Sequence, residues 1–222
     1  MTDISPTTNN SGTRNHILLT LGMLAGPAYI LVGAIEILTR PGFDMTRHDL
    51  SLMANGDWGW VHVLLLIVTG LLTVAGAMGL RGSIKGEKGG AWGPLMLGLY
   101  GLGLVGAGIF KADPANGFPV GTPEGMANVT ANGMLHFVFG AIGFIGLIAA
   151  CFVLAAYFKA RSERSWAVYS RLTGVLFGAA FVGIAMGSNG SGALLTTVVL
   201  AFTAAVILGW TWISVVLARF KK

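Results

Sequence analysis

The sequence predicts an all-α integral membrane protein, a bundle of six transmembrane helices. Three observations carry that reading. The composition is 54% hydrophobic and only 10% charged, with a mean hydropathy of +0.74, which leaves too little polar surface to wet a soluble domain. Six apolar runs are long enough to cross a bilayer core. The Lys and Arg residues sit in short clusters beside those runs, as topology signals do.

Residues 1–15 are polar, with Arg14 the one positive charge, and read as a disordered tail. The single transmembrane domain covers residues 16–218, and residues 219–222 form a basic end. The expected spans are His16–Leu38, Trp58–Leu80, Gly93–Phe110, Ala131–Phe158, Leu172–Gly187 and Ala193–Leu217. The first run is too long for the apolar part of a signal peptide. Gly22 and Gly26 lie one turn apart and allow close helix approach, while Pro27 bends the helix.

Orientation follows from the basic residues. Of the 14 Lys and Arg residues, all but Arg40, Arg47 and Lys111 fall on the side that holds both termini. Positive charge is retained in the cytoplasm, so both termini are expected there, in a multi-pass protein of the plasma membrane. Glu36, Asp44, Asp49, Asp57, Asp113 and Glu124 then fall outside, with His48, His62 and His136. The net charge of +5 does not point to nucleic acid, because the cations belong to these flanks. Cys151 is the one cysteine, so there is no disulfide framework.

The stretch RPGFDMTRHDLSLMANGDWGWVH, from Arg40 to His62, concentrates ionisable groups at one face. Arg40, Pro41 and Gly42 end the first helix. Asp44 is placed as the N-cap of a short interfacial helix running to Ala54, with Asn55 and Gly56 as its stop. In that helix Asp44, His48 and Ser51 share a stripe. Asp57 is expected to cap the second span, and Trp58 and Trp60 to anchor it at headgroup depth. The second outer stretch, Lys111 to His136, is rich in breakers: Asp113 with Pro114 and Asn116 with Gly117 read as consecutive turns, and Thr122 with Pro123 opens a one-turn helix. His62 and His136 are each preceded at minus three by a glycine, Gly59 and Gly133. The last outer turn, Ser188 to Gly192, is short and uncharged, so the last two spans read as scaffold, with Gly174, Gly178, Gly183 and Gly187 as packing surfaces.

The segments RPGFD, RHDLS, NGDWGW, GIFKADPANGFPVGTP and GMLHF resemble the bacterial and archaeal membrane family catalogued as domain of unknown function 998. The resemblance is strong from Gly22 to Tyr157, covers the remainder by topology, and rests on Pro41, Asp44, His48, Ser51, Gly56, Asp113, Pro114, Gly117, Pro119, Gly121, Pro123 and His136. It implies a six-helix membrane protein and brings no established activity.

Imidazoles with carboxylates are ligands for zinc and similar divalent ions. Asp44, His48, Asp113 and His136 are therefore the first candidates for a metal or polar-ligand site, with Ser51, His62 and Glu36 as secondary ones. The competing reading of each is plain: aspartates cap helices and turns, and loop histidines pair locally. The leading expectation is an outward-facing Asp/His pocket that binds a metal ion or a polar lipid headgroup. A metal-dependent hydrolase acting on a lipid or lipid-linked substrate is the alternative, and a transporter or scaffold the third. No HExxH motif or paired cysteines support the hydrolase, and a haem between His62 and His136 is set aside. Transport ranks last because no ionisable residue lies below the outer third of any span.

Overall fold

The computed structural model describes residues 7–125, 129–188 and 190–221, the side chains of 7–11 excepted. Residues 1–6 of the expected tail, Lys222 of the basic end, and Asn189 in the last outer turn lie outside that description. The described chain forms six long helices: α1 (Thr7–Thr39), α2 (Gly59–Ser83), α3 (Trp92–Ile109), α4 (Ala131–Ala160), α5 (Arg164–Gly187) and α6 (Gly192–Phe220). All six are long and apolar enough to cross a membrane.

Two helices start earlier than their hydropathy suggests. α1 begins at Thr7 rather than His16, so the described part of the expected tail is helical. Once a helix is nucleated, adding a polar residue needs only one more backbone bond. Asn15 is then fixed by its side-chain amide, which donates to the Ser83 hydroxyl at 2.9 Å. α5 begins at Arg164 rather than Leu172, because helix and hydrophobic span are different properties and its first turns carry Arg164 and Arg171.

Each helix packs on its neighbour in sequence, and α6 packs back onto α1, so the six form a closed ring. Small residues set the spacing. A Cβ on Gly22 would lie 2.5 Å from the Gly76 Cα, and one on Gly26 would lie 2.6 Å from the Trp210 carbonyl oxygen. These contacts hold α1 against α2 and α6, as the Gly22 and Gly26 spacing predicts.

The centre of the ring is filled by aromatic rings rather than backbone. Trp210 of α6 stacks on Tyr29 of α1, with centroids 4.9 Å apart, and lies 5.5 Å from Tyr100 of α3. Phe144 of α4 meets Phe177 and Phe181 of α5 and Phe202 of α6 at 5.2–5.4 Å. Leucine, isoleucine, valine and methionine cover the outside, among them Leu31, Leu71, Met78, Leu102, Ile145 and Leu176, all exposed. That is the surface a bilayer requires. Trp58 and Trp60 at one end and Trp92 at the other are also exposed, and aromatic residues at those levels anchor spans at the interface.

One end of the ring, the loop face, carries the α1–α2, α3–α4 and α5–α6 connections. The other, the basic face, carries the chain ends. On the basic face Arg161 pairs with Glu87 at 3.1 Å and Arg219 with Glu163 at 3.2 Å.

At the loop face the first turn of α4 is locked by a carboxylate. Asp113 Oδ2 accepts from the Thr130 amide at 2.8 Å, its Oδ1 accepts from the Thr130 hydroxyl at 2.6 Å, and the same hydroxyl accepts from the Gly133 amide as N-cap. A Cβ on Gly133 would collide with the Asp113 carboxylate, and one on Gly59 with the Ala54 carbonyl. The glycine three before each histidine therefore lets a loop lie against the entry of its helix. Gly133→Ala is expected to cost about 1–3 kcal/mol. Most of that loss should vanish in an Asp113→Ala background, a non-additivity that denaturation of the four proteins in detergent measures.

Candidate functional site

The two long loops of the loop face are stitched into one cap. Arg40, buried at the end of α1, donates to the carbonyls of Met53 and Asn55 and sits 5.9 Å from the Phe118 ring. Asn55 donates to the Ala112 carbonyl at 3.0 Å, tying the first loop to the second. Phe43, Phe118 and the His48 ring pack together with centroids 5.4 Å apart, and Leu52, Ala112 and Phe118 form a small core of their own. Arg47 pairs with Glu124 on the surface.

His48 is the keystone of this cap. Its Nδ1 accepts from the Asp44 amide at 2.9 Å, which leaves Nε2–H to donate to the Asn116 carbonyl at 2.9 Å. The Asn116–Gly117 turn expected from the sequence is present, both residues having positive φ, and it turns that carbonyl toward His48. Asp44 caps its own turn: Oδ1 accepts from the Thr46 amide and hydroxyl at 2.8 and 2.7 Å. Those bonds hold its carboxyl below the ordinary range.

The expected interfacial α-helix from Asp44 to Ala54 is instead one turn at Asp44–His48 followed by a short 3₁₀ helix, Leu50–Ala54. The reason is local. The Asp44 and His48 side chains both bond to backbone amides within the turn, in competition with helix propagation. Ser51 therefore does not continue a stripe with Asp44 and His48. Asp57 makes no cap, since the N-cap position of α2 is Trp58 and carries no side-chain bond. Thr122 and Pro123 open no helix: the Thr122 amide instead closes the preceding turn onto the Pro119 carbonyl.

These geometries also separate the four first candidates. Asp113 is committed to Thr130, both ring nitrogens of His48 are engaged, and His136 lies deeper. Among the described residues no three of His, Cys, Asp and Glu are arranged to hold a metal ion. The expected Asp44, His48, Asp113, His136 metal set is not assembled.

The secondary candidates lie inward of the cap. A cavity of about 370 Å³ occupies the loop-face half of the ring, with walls from all six helices. Its roof is Asp49, Leu50 and Ser51, and its side walls include His136 and Ser188. Its floor is the aromatic cluster of Tyr29, Tyr100, Phe144 and Phe202. His136 Nδ1–H donates to the carbonyls of Ala107 and Phe110, each at 2.9 Å, so Nε2 is the ring's acceptor.

Behind the wall, Glu36 Oε2 and His62 Nδ1 are 2.7 Å apart in a pair that joins α1 to α2, with the two side chains 5% and 1% exposed. Tyr29 lies edge-on to the His62 ring at 6.2 Å. Glu36 Oε1 and His62 Nε2 are buried without a hydrogen-bond partner. Removing one member strands the other, which costs about 3–5 kcal/mol. Glu36→Ala and His62→Ala are each expected to unfold at markedly lower temperature, while the apolar double replacement Glu36→Leu/His62→Phe recovers much of the loss. Melts in detergent decide this.

Asp49 was not among the sequence candidates. It precedes the 3₁₀ helix without capping it, and its Oδ1 is buried with no partner. Burial pushes its carboxyl up to about 6. The only signal in the sequence was its place beside His48 in RHDLS.

A folded-state value above the ordinary 3.8 means that folding favours the protonated carboxyl. Its stabilising contribution is complete below 3.8 and is lost as pH rises through about 6. At pH 7.5 the ionised group therefore opposes folding. Asp49→Asn is expected to raise stability by about 1–3 kcal/mol at pH 7.5. The advantage should shrink as pH falls below 6 in a series of unfolding curves.

The fold and surface define a six-span helical membrane protein. A family model described as a protein of unknown function (DUF998) matches residues 23–219, and the chain belongs to that family. No curated protein and no solved structure matches the chain.

Proposed function

We propose that this is a ligand-binding protein of the plasma membrane, with both termini in the cytoplasm and the loop face outward, whose cavity takes a lipid-type amphipathic molecule. The observation that carries this reading is the division of the cavity. An aromatic floor lies at membrane depth under a roof of carboxylate and hydroxyl, with an imidazole in the wall. Few polar groups above a largely apolar chamber is how small-molecule sites fix orientation while burial supplies affinity. The polar end of the ligand faces Asp49, Ser51 and His136. Its apolar body lies against Phe144, Phe181 and Phe202.

Hydrolysis ranks second. Ser51 and His136 share the cavity wall, which is the observation in its favour. An activated nucleophile needs a base within hydrogen-bond reach, and among the described residues the Ser51 hydroxyl has no such contact. The Glu36–His62 pair resembles a carboxylate-oriented base, yet the ring is sealed from solvent and is not part of the wall.

Gly140 lines the cavity, and a Cβ there would meet nothing within 4 Å. Gly140→Leu should therefore fill the chamber without disturbing the bundle, and it replaces a weak helix former by a strong one. Native mass spectrometry of the purified chain is expected to show a retained lipid-sized adduct in the wild type. The adduct should be lost, or fall at least about tenfold, in Gly140→Leu. An unchanged adduct in a well-folded Gly140→Leu protein removes the cavity as its site.

A further inference from the structure

We propose that the cavity selects a cationic amphiphile, a molecule with an amine or quaternary ammonium head on an apolar tail. This rests on the ligand-binding reading above and narrows it to one charge class. The argument begins with what faces the chamber. Among the described residues its wall carries one carboxylate, Asp49, and no lysine or arginine. Arg47, the nearest cation by sequence, is paired with Glu124 on the surface, and Arg40 is spent on the carbonyls of Met53 and Asn55. Asp49 Oδ1 is closed off from solvent and has no donor.

Asp49 as a whole is half-buried, but a carboxylate with one oxygen shut away from water and from any donor is an expensive arrangement unless something charged completes it. The remaining walls favour the same charge. Tyr29, Tyr100, Phe137, Phe144, Phe181 and Phe202 present ring systems to the chamber, and the faces of such rings attract cations, most strongly where water is excluded. An anionic head would meet Asp49 and these rings with no cation to receive it. A neutral head would satisfy the hydrogen bond and leave the charge unmatched.

The other ionisable groups around Asp49 are few. His48 adjoins it in the loop with both ring nitrogens engaged, and His136 faces the chamber from α4. Tyr29 faces it from α1 and Tyr100 from α3, while Glu36 and His62 are paired behind the wall on α1 and α2. From α5 and α6 the wall is Phe181, Ile184, Ala185, Ser188, Phe202 and Val206, none of which titrates. Below about pH 6 Asp49 takes up a proton, and the loss of its charge weakens cation binding.

Three probes with one tail test this: decyltrimethylammonium, decanol and decyl sulfate, in equilibrium dialysis against the full chain held in a peptide scaffold free of detergent. At pH 7.5 the cation is expected to bind at least about tenfold more tightly than decanol, with decyl sulfate weakest. Asp49→Asn should abolish the preference while leaving decanol binding in place. Lowering the pH to 5 should reduce it in the wild type by about tenfold per unit below 6. A preference for the cation that survives in Asp49→Asn with its pH dependence intact overturns the assignment to Asp49. Equal binding of the three probes, lost together in Gly140→Leu, overturns the charge selectivity and leaves the cavity as a lipid site. Binding of all three that is indifferent to Gly140→Leu overturns both readings.

Discussion

Polar groups at membrane depth find no water, so each must be answered from within the protein, and that constraint shapes the whole loop face. The Arg40 guanidinium meets it most economically. It closes the end of α1, takes up two carbonyls left by the 3₁₀ helix, and lies against the Phe118 ring of the neighbouring loop. Asn55 and His48 do the same work on either side by reaching carbonyls of the second loop. A run rich in glycine and proline thus becomes a rigid cover, because its carbonyls have side-chain donors close by. The apolar chamber beneath owes its existence to that cover: without it the aromatic floor would lie open at the end of the ring.

Much of this architecture was legible in the chain itself. The six spans follow from run length. The packing of α1 follows from Gly22 and Gly26, and the Asn116–Gly117 turn from residues that tolerate positive φ. Hydropathy says less about where helices end, since α1 and α5 continue into polar sequence where no breaker intervenes. The Asp44, His48, Ser51 stripe was misjudged because helical spacing was assumed for a segment whose own side chains capture its amides.

The site itself was half visible. The residues with the most conspicuous chemistry, Asp44, His48 and Asp113, are committed to holding loops, which is the ordinary role of aspartate and histidine in turns. Of the first candidates only His136 faces the chamber; Ser51, Glu36 and His62, which line it or lie behind its wall, are secondary by sequence because spacing alone gives them no partner. Asp49 could not be separated from its neighbours by sequence, for what distinguishes it is an absence of partners, and that is a property of three-dimensional surroundings. The faint Gly-x-x-His match between the first two hairpins has a steric cause in each, a carbonyl in one and a carboxylate in the other. Shared packing need is enough to account for it.

The ring is closed by the contact of α6 with α1, where Gly26 lies under Trp210 and Ser214. Translation delivers the helices in order, so the first must wait in the lipid for the sixth while its glycine seam faces fatty acyl chains. Until then the bundle is an open crescent and its chamber has no far wall. A ribosome stalled before α6 emerges would leave a protein with most of its residues in place and nothing to enclose.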